Sequence, residues 1–85
     1  MVSSHSASIR DLISFIACSL VDNADQVEIN EVEGTQTSVI ELRVAKEDIG
    51  KIIGKSGRTA DAIRTILGCA SAKNNKRYIL QILDK

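Results

Sequence analysis

Apolar residues recur at intervals of three and four across residues 8–21, a spacing that predicts an amphipathic helix. Ser8 and Asp11 form a capping-box-like start, and Asn23 and Asp25 break the pattern. The apolar positions are Ile9, Leu12, Ile13, Ile16, Ala17 and Leu20. One side of this helix is therefore suited to packing against a second layer of the fold.

Two segments with the alternation of strands follow this helix. Residues 27–33 predict a strand whose alternation is imperfect after Ile29. Residues 37–44 alternate apolar and charged side chains and predict a half-buried strand. The Gly-Thr-Gln sequence at 34–36 supplies a turn, so the two strands are expected to pair as a hairpin.

The second half of the chain predicts two helices and a strand. Residues 47–53 predict a helix of about two turns that begins with two acidic residues and stops at Gly54. After Gly57 the apolar residues return with helical period, until the two asparagines at 74–75 mark a turn. Residues 77–83 are apolar and β-prone, which predicts a final strand.

The predicted order is helix, strand, strand, helix, helix, strand, which is typical of a two-layer α+β domain. The helix pair forms a crossover between strand 37–44 and the final strand, and such a connection favours parallel, right-handed pairing. We therefore expect a three-stranded mixed sheet with strand 37–44 at its centre and the helices packed on one face. Residues 8–85 would form this single domain, and residues 1–7 a flexible tail.

Composition is ordinary for one small globular domain. The 85-residue chain is 44% hydrophobic and 26% charged, and it contains neither a long apolar run that could cross a membrane nor the basic-then-apolar layout of a secretory signal. We therefore expect a cytoplasmic protein that makes no membrane contact. Cys18 and Cys69 lie within apolar helical patterns and not at metal-ligand spacing, so we expect buried thiols.

Charge divides the chain into two halves, although the formal net charge is zero. Residues 1–42 contain one basic and seven acidic residues, a net charge of −6. Residues 43–85 contain ten basic and four acidic residues, a net charge of +6. Each half could simply have a solvated charged face, but the basic half also contains a glycine-rich loop. This coincidence favours binding of an anion.

That loop is the Gly-Lys-Ser-Gly sequence at residues 54–57, between the two central helices. Glycine accepts backbone angles that clash for other residues, so the chain can turn sharply and let a phosphate approach. The helix that follows would direct its free N–H groups and the positive end of its dipole at the loop. Lys55 would add positive charge and Ser56 a hydroxyl donor.

With Ile-Ile-Gly-x-x-Gly between its central helices, this order of elements resembles a type II KH domain over residues 8–84. The run from Val44 to Arg64 (VAKEDIGKIIGKSGRTADAIR) is similar to the small single-KH bacterial RNA-binding proteins of the KhpA family. A GxxG spacing alone occurs by chance. The resemblance is specific because Ile-Ile precedes the loop, Gly-Arg ends it, and the expected strand and helices flank it.

The resemblance implies that the loop clamps the backbone of about four nucleotides of single-stranded RNA or DNA. Gly54 and Gly57 would permit close approach, and Lys55 and Ser56 would face the phosphates. Such a protein would serve in post-transcriptional regulation or as an RNA chaperone. It would also pair with itself or with a second, larger KH-containing RNA-binding protein.

The resemblance also implies an aliphatic groove beside the loop. At least one of Ile49, Ile52 and Ile53 would form the groove wall against which bases lie, and the others would pack the core. Flanking contacts would come from Arg58, Lys51 and Arg64. As exposed helix bases, these three could equally well serve solubility alone.

Two features limit the expected strength of RNA binding. Aromatic residues make up 2% of the chain, so there is no stacking platform and sequence readout should be shallow. Asp61 lies one turn into the helix after the loop, where it would either repel a phosphate or only favour the helix N-terminus.

Catalysis is not expected. The segment from Gly50 to Ser56 is one residue short of a nucleotide-binding P-loop, and its apolar positions have helical rather than strand-then-loop spacing. No Ser/His/Asp, Cys/His or paired-carboxylate arrangement is present. We therefore predict a binding protein without cofactor or metal.

The competing hypothesis is a module whose KH fold serves mainly to dimerise or to dock a larger partner. The final strand has apolar residues on both faces, with Ile79 and Leu83 opposite Tyr78, Leu80 and Ile82. Only one face can meet the helices, so the other is expected to leave apolar side chains partly exposed, as protein contact surfaces often do. RNA binding and partner binding remain compatible.

Overall fold

A computed structural model describes residues 9–85 of the chain. The elements are helix α1 (Ile9–Leu20), strands β1 (Glu28–Glu33) and β2 (Thr37–Val44), helices α2 (Ile49–Ile53) and α3 (Arg58–Asn74), and strand β3 (Arg77–Asp84). The predicted order is therefore confirmed, with strand bounds within one residue of expectation. The predicted tail, residues 1–7, and Ser8 of the predicted cap lie outside the described residues.

The central strand of the sheet is β2, in a three-stranded order β1-β2-β3. It pairs antiparallel with β1 through the predicted hairpin and parallel with β3. Because α2 and α3 connect β2 to β3, the parallel pair arises from the crossover that the sequence predicts. The mixed sheet with a central β2 is confirmed.

The core lies between one face of the sheet and the three helices. Alternate residues of β2 point into it, because successive side chains of a strand point to opposite faces. The buried core residues are Ile13 and Ala17 from α1, Ile52 from α2, Ile63 and Leu67 from α3, and Ile40, Leu42, Val44 and Leu80 from the sheet. This packing fixes α2 and α3, and with them the loop between them.

The other face of the sheet, here called the open face, is not covered by any helix of the described residues. Val32, Val39 and Ile79 stand directly opposite one another across its three strands. Val32 is 52% exposed and Ile79 39%. The prediction that one sheet face leaves apolar side chains partly exposed is confirmed.

The predicted burial of the two cysteines is wrong, since Cys18 and Cys69 are both exposed. Each lies next to or near a core residue in sequence but is turned away from it, because successive helical residues point about 100° apart. On α1 the inward positions are Ile13 and Ala17, one turn apart, and Cys18 lies beyond their edge. The apolar run of each helix is thus wider than the face that the core covers.

None of the helices within residues 9–85 is long and apolar enough to cross a membrane.

Candidate nucleic-acid interface

The GxxG loop (Gly54–Gly57) joins α2 to α3 and has unusual backbone angles at three of its four positions. Gly54 has φ 78° and ψ 173°, a combination that is almost exclusive to glycine. Ser56 (φ 58°) and Gly57 (φ 75°) are left-handed. The N–H of Gly54 donates to the carbonyl of Gly50 at 2.8 Å, and the N–H of Gly57 to that of Gly54 at 3.1 Å. Hydrogen bonds within the chain therefore hold the sharp turn.

The two glycines of the loop are required for different reasons. A Cβ on Gly54 would lie 2.2 Å from Oγ1 of Thr59 and 2.9 Å from its backbone nitrogen. A Cβ on Gly57 would meet nothing within 4 Å, so only its positive φ favours glycine there. The first glycine thus packs the loop directly against the first turn of α3.

The N-terminus of α3 has no side-chain cap. Gly57 occupies the N-cap position, and no side-chain hydrogen bond caps the 17-residue helix. Lys55, Ser56 and Arg58 are all exposed around this terminus. Neither Lys55 nor Arg58 makes an ion pair with another described residue. The N–H groups of Gly57 and Arg58 donate to the carbonyls of Gly54 and Lys55, so the expected free N–H donors are partly used within the loop. The positive end of the helix dipole and the two cations still converge at one place, a combination that attracts an anion.

A groove of about 510 Å³ opens beside the loop. Its volume lies within the range of about 300–1,000 Å³ that is usual for ligand sites. One side is formed by Ile53, Gly57, Ala60, Asp61 and Arg64, and the other by Leu80, Gln81, Ile82 and Leu83 of β3. The groove therefore combines a mostly aliphatic lining with an anion-attracting end.

Of the three isoleucines predicted for the groove wall, the structure places one in the groove. Ile53 is 39% exposed and lines it. Ile52 is fully buried in the core, and Ile49 is half-buried and packs against the core. The last isoleucine of the short helix α2 thus lines the groove, and the other two pack into or against the core.

The sequence patterns did not lead us to predict that β3 forms one side of the groove. Four consecutive residues, 80–83, line it, although alternate side chains point to opposite sheet faces. This is possible because β3 is an edge strand, with no other described strand on its outer side. Two signals were available: a crossover that places the last strand beside the helix pair, and apolar residues on both faces of that strand.

Among the predicted flanking bases, Lys51 is not one of the residues that line the groove. Its Nζ lies 3.3 Å from a carboxylate oxygen of Asp22 and 3.5 Å from one of Asp48. The hydrogen bond and charge of Asp22, with a smaller contribution from Asp48, raise the pKa of Lys51 above its ordinary value. Arg58 stands at the loop, and Arg64 lines the groove. The structure thus separates the three predicted bases.

Asp48 anchors the other end of α2. Its fully buried carboxylate accepts hydrogen bonds from the backbone N–H of Asn23 at 3.0 Å and the side-chain amide of Asn23 at 2.9 Å, and a longer one from the N–H of Asp22 at 3.4 Å. Burial acts to raise the pKa of Asp48, but these hydrogen bonds and the one from Lys51 together hold it below its ordinary value. The carboxylate therefore ties α2 to the segment after α1.

This use of Asp48 changes the start of α2 from the predicted one. Asp48 is at the N-cap position but makes no side-chain cap hydrogen bond to α2, and residues Lys46–Asp48 form a 3₁₀ turn. The α-helix therefore begins at Ile49 and has five residues. Glu47 and Asp48 predicted the first turn of this helix, but Asp48 is buried and has a structural role instead.

The groove also contains an ion pair. One guanidinium nitrogen of Arg64 lies 3.8 Å from a carboxylate oxygen of Asp61, one turn earlier on α3, and both side chains are more than half exposed. Such exposed pairs contribute little to folding stability, so both groups stay available to a ligand.

Comparison with known proteins places the chain in a family. Residues 10–82 match the family model described as KhpA/KhpB, KH domain. The chain is 54% identical to the RNA-binding protein KhpA of Borreliella burgdorferi over 74 residues, which cover 87% of this chain and 90% of that protein. It is 53% identical to KhpA of Caldanaerobacter subterraneus (86% and 97% covered) and 47% identical to KhpA of Aquifex aeolicus (92% and 99% covered). The chain belongs to the KhpA/KhpB family of KH domains.

Proposed function

We propose that this protein binds short single-stranded RNA, with the GxxG loop holding the phosphate backbone and the groove receiving bases. The observation that carries the proposal is the position of the uncapped N-terminus of α3, which lies at the mouth of an aliphatic groove. Three relatives with about half of their residues identical are named RNA-binding proteins, which supports the same function. The protein would act in the cytoplasm, in post-transcriptional regulation or as an RNA chaperone, without catalysing a reaction.

Each group in the proposed interface has a distinct role. The ammonium of Lys55, the hydroxyl of Ser56 and the guanidinium of Arg58 contact phosphate oxygens, and the positive end of the α3 dipole attracts them. Ile53 and the β3 side chains contact the faces of the bases. Because backbone contacts predominate and none of the groove-lining residues within 9–85 is aromatic, RNA and single-stranded DNA of many sequences would bind, with affinity that falls as salt increases.

The test is binding of a fluorescent single-stranded RNA at several salt concentrations to the native protein and to Lys55→Asp/Ser56→Asp. The variant should lose about tenfold or more in affinity and show a shallower salt dependence, because phosphate contacts become repulsions. The matched control is Ala72→Asp/Lys73→Asp, with the same charge change about 20 Å away at the other end of α3. Circular dichroism establishes that both variants are folded. Equal binding by native protein and loop variant would contradict the proposal.

A second candidate function is docking of a partner, either another copy of this chain or a larger KH-containing RNA-binding protein. The apolar row Val32, Val39 and Ile79 on the open face favours it. Sedimentation of the native protein and of Ile79→Lys over a wide concentration range tests the homodimer. A native dimer that the substitution dissociates would support docking through this face, and a monomer at every concentration would exclude self-association.

A further inference from the structure

The role of Asp61 in this groove is not explained by a phosphate clamp. It is the one acidic residue among those that line the groove within residues 9–85. Its side chain is 77% exposed, and its partner is Arg64 at 3.8 Å. A carboxylate in the first turn of a helix interacts favourably with the helix dipole but repels phosphate, so the part of a nucleic acid that suits Asp61 is a hydrogen-bond donor of a base.

The spacing along α3 indicates which part this is. Gly57, Ala60, Asp61 and Arg64 recur at intervals of three and four and form one stripe that faces β3. Asp61 is four residues beyond Gly57, so it lies about 6 Å further along the helix than the loop. Phosphates held at the loop would therefore leave Asp61 and Arg64 beside the bases, between aliphatic side chains of α2 and β3.

From this arrangement we propose that Asp61 and Arg64 form a base-selecting pair that favours cytosine over uracil, an inference that rests on the proposed RNA binding. A carboxylate only accepts hydrogen bonds and a guanidinium only donates them. The Watson–Crick edge of cytosine has an amino donor at N4 beside acceptors at N3 and O2. Asp61 accepts from N4, and Arg64 donates to the adjacent acceptors.

Uracil fits this pair less well. It carries an acceptor, O4, where cytosine has its amino group. O4 would therefore face a carboxylate oxygen of Asp61, and the two negatively charged oxygens would repel each other. The two pyrimidines have the same size and ring shape. The aliphatic lining therefore cannot distinguish them, and the donor and acceptor pattern of Asp61 and Arg64 must do so.

The existing ion pair does not oppose this role. At 3.8 Å and more than half exposed, it is easily exchanged for hydrogen bonds to a base. While it persists, the two charges offset each other, so the groove neither repels the RNA strand nor binds further phosphate in place of a base.

The test compares binding of cytidine and uridine RNA hexamers, at neutral pH and fixed salt, to the native protein, Asp61→Asn and Glu41→Gln. The native protein should bind the cytidine hexamer about five- to tenfold more tightly. In Asp61→Asn this ratio should fall to about one, because an amide can also donate to O4. Glu41→Gln makes the same charge change on the open face, where the new amide can still accept the hydrogen bond from Asn30, and should preserve the ratio.

Each outcome decides a different question. Equal affinities in the native protein, or a ratio that Asp61→Asn leaves unchanged, would overturn the base-selecting pair and leave the proposed RNA binding intact. Failure of the native protein to bind either hexamer would overturn both. A change of ratio in Asp61→Asn with unchanged thermal unfolding would separate selection from a structural role.

Discussion

The polar groups at the two ends of helix α2 have opposite surroundings, buried at one end and exposed at the other. At its start, the buried carboxylate of Asp48 is surrounded by donors from the segment after α1. At its end, the chain enters the GxxG loop, where Ser56 is exposed in a left-handed conformation and the next helix begins without a side-chain cap. The carboxylate at the first end is satisfied inside the protein, and the second end leads into the N-terminus of α3, whose dipole faces solvent or a ligand.

The contrast shows how a five-residue helix can hold the GxxG loop in place. Such a short helix has little stability of its own, so its position depends on tertiary contacts. Asp48 fixes the start of the helix, and Ile49 and Ile52 fix one side of it against the core. The loop at the other end, with Ser56 in a left-handed conformation, can therefore be held in one position. Four predictions test this division, from the largest expected effect to the smallest.

Gly54→Ala should have the largest effect. The new methyl group would overlap Thr59, and the backbone angles are almost exclusive to glycine, so the free energy of unfolding should fall by about 3 kcal/mol or more. Gly57→Ala is the matched control, with open space around the methyl group and an expected loss of about 1 kcal/mol from its positive φ alone. Urea unfolding measures both losses, and equal ones would contradict the role of Thr59.

Asp48→Asn should lower the thermal midpoint by several degrees, because an amide opposes the donors of Asn23 and Asp22 with a donor of its own. The same substitution should alter the pH dependence of stability. The pKa of Asp48 is lower in the folded than in the unfolded protein, so its stabilisation is present above the ordinary aspartate pKa and is lost as pH falls through the lower folded value.

Thermal unfolding between neutral pH and pH 2 tests this prediction. Asp48→Asn should weaken the acid destabilisation below about pH 4 but not abolish it. Hydrogen bonds from Lys85 and Lys76 also lower the pKa of Glu28 and Glu33, and these contributions remain. If the thermal midpoints of native protein and variant fell identically at low pH, Asp48 would not stabilise the fold through its charge.

Lys51→Ala should affect folding more than RNA binding. Its ammonium is held by Asp22 and Asp48 at the fixed end of α2, so RNA affinity should change by about twofold or less, whereas Arg58→Ala should weaken binding several-fold. Fluorescence titration of both variants with one RNA at one salt concentration makes the comparison. A larger loss in Lys51→Ala would place the ammonium on the RNA.

Ser56→Gly should have the smallest effect on stability and the opposite sign. Glycine adopts the left-handed angles of Ser56 without strain, though it loses more freedom on folding, so the free energy of unfolding should rise by about 0.5 kcal/mol. RNA affinity should fall modestly because the hydroxyl donor is lost. Urea unfolding and RNA titration of the same variant test the two signs, and higher stability with unchanged affinity would leave the hydroxyl without a role.

The sequence predicted the fold well because its periodicities are strong. Helical spacing in α1 and α3, the alternation of β2 and the glycines that bound the loop were each enough to place an element. The crossover rule then gave the parallel pairing of β2 with β3. Local pattern and global topology agree in these segments, which is why strand bounds differ by only one residue.

What the sequence did not predict depends on how elements are rotated and packed. Periodicity alone could not predict that Ile53 lines the groove while Ile52 is buried, or that Cys18 and Cys69 are exposed. Asp48 has its role only because the segment after α1 folds back onto α2. Its contact with Asn23 joins residues 25 positions apart in the chain, which local patterns do not reveal. The β3 wall of the groove likewise exists only after tertiary assembly.

The position of β3 has a consequence for local unfolding. Among the described strands β3 pairs only with β2, so its opening would remove one side of the groove while the GxxG loop stays attached to α2. The aliphatic lining would then be lost before the attraction of an anion to the end of α3. Hydrogen exchange of the β3 amides would therefore report loss of the groove separately from loss of the fold.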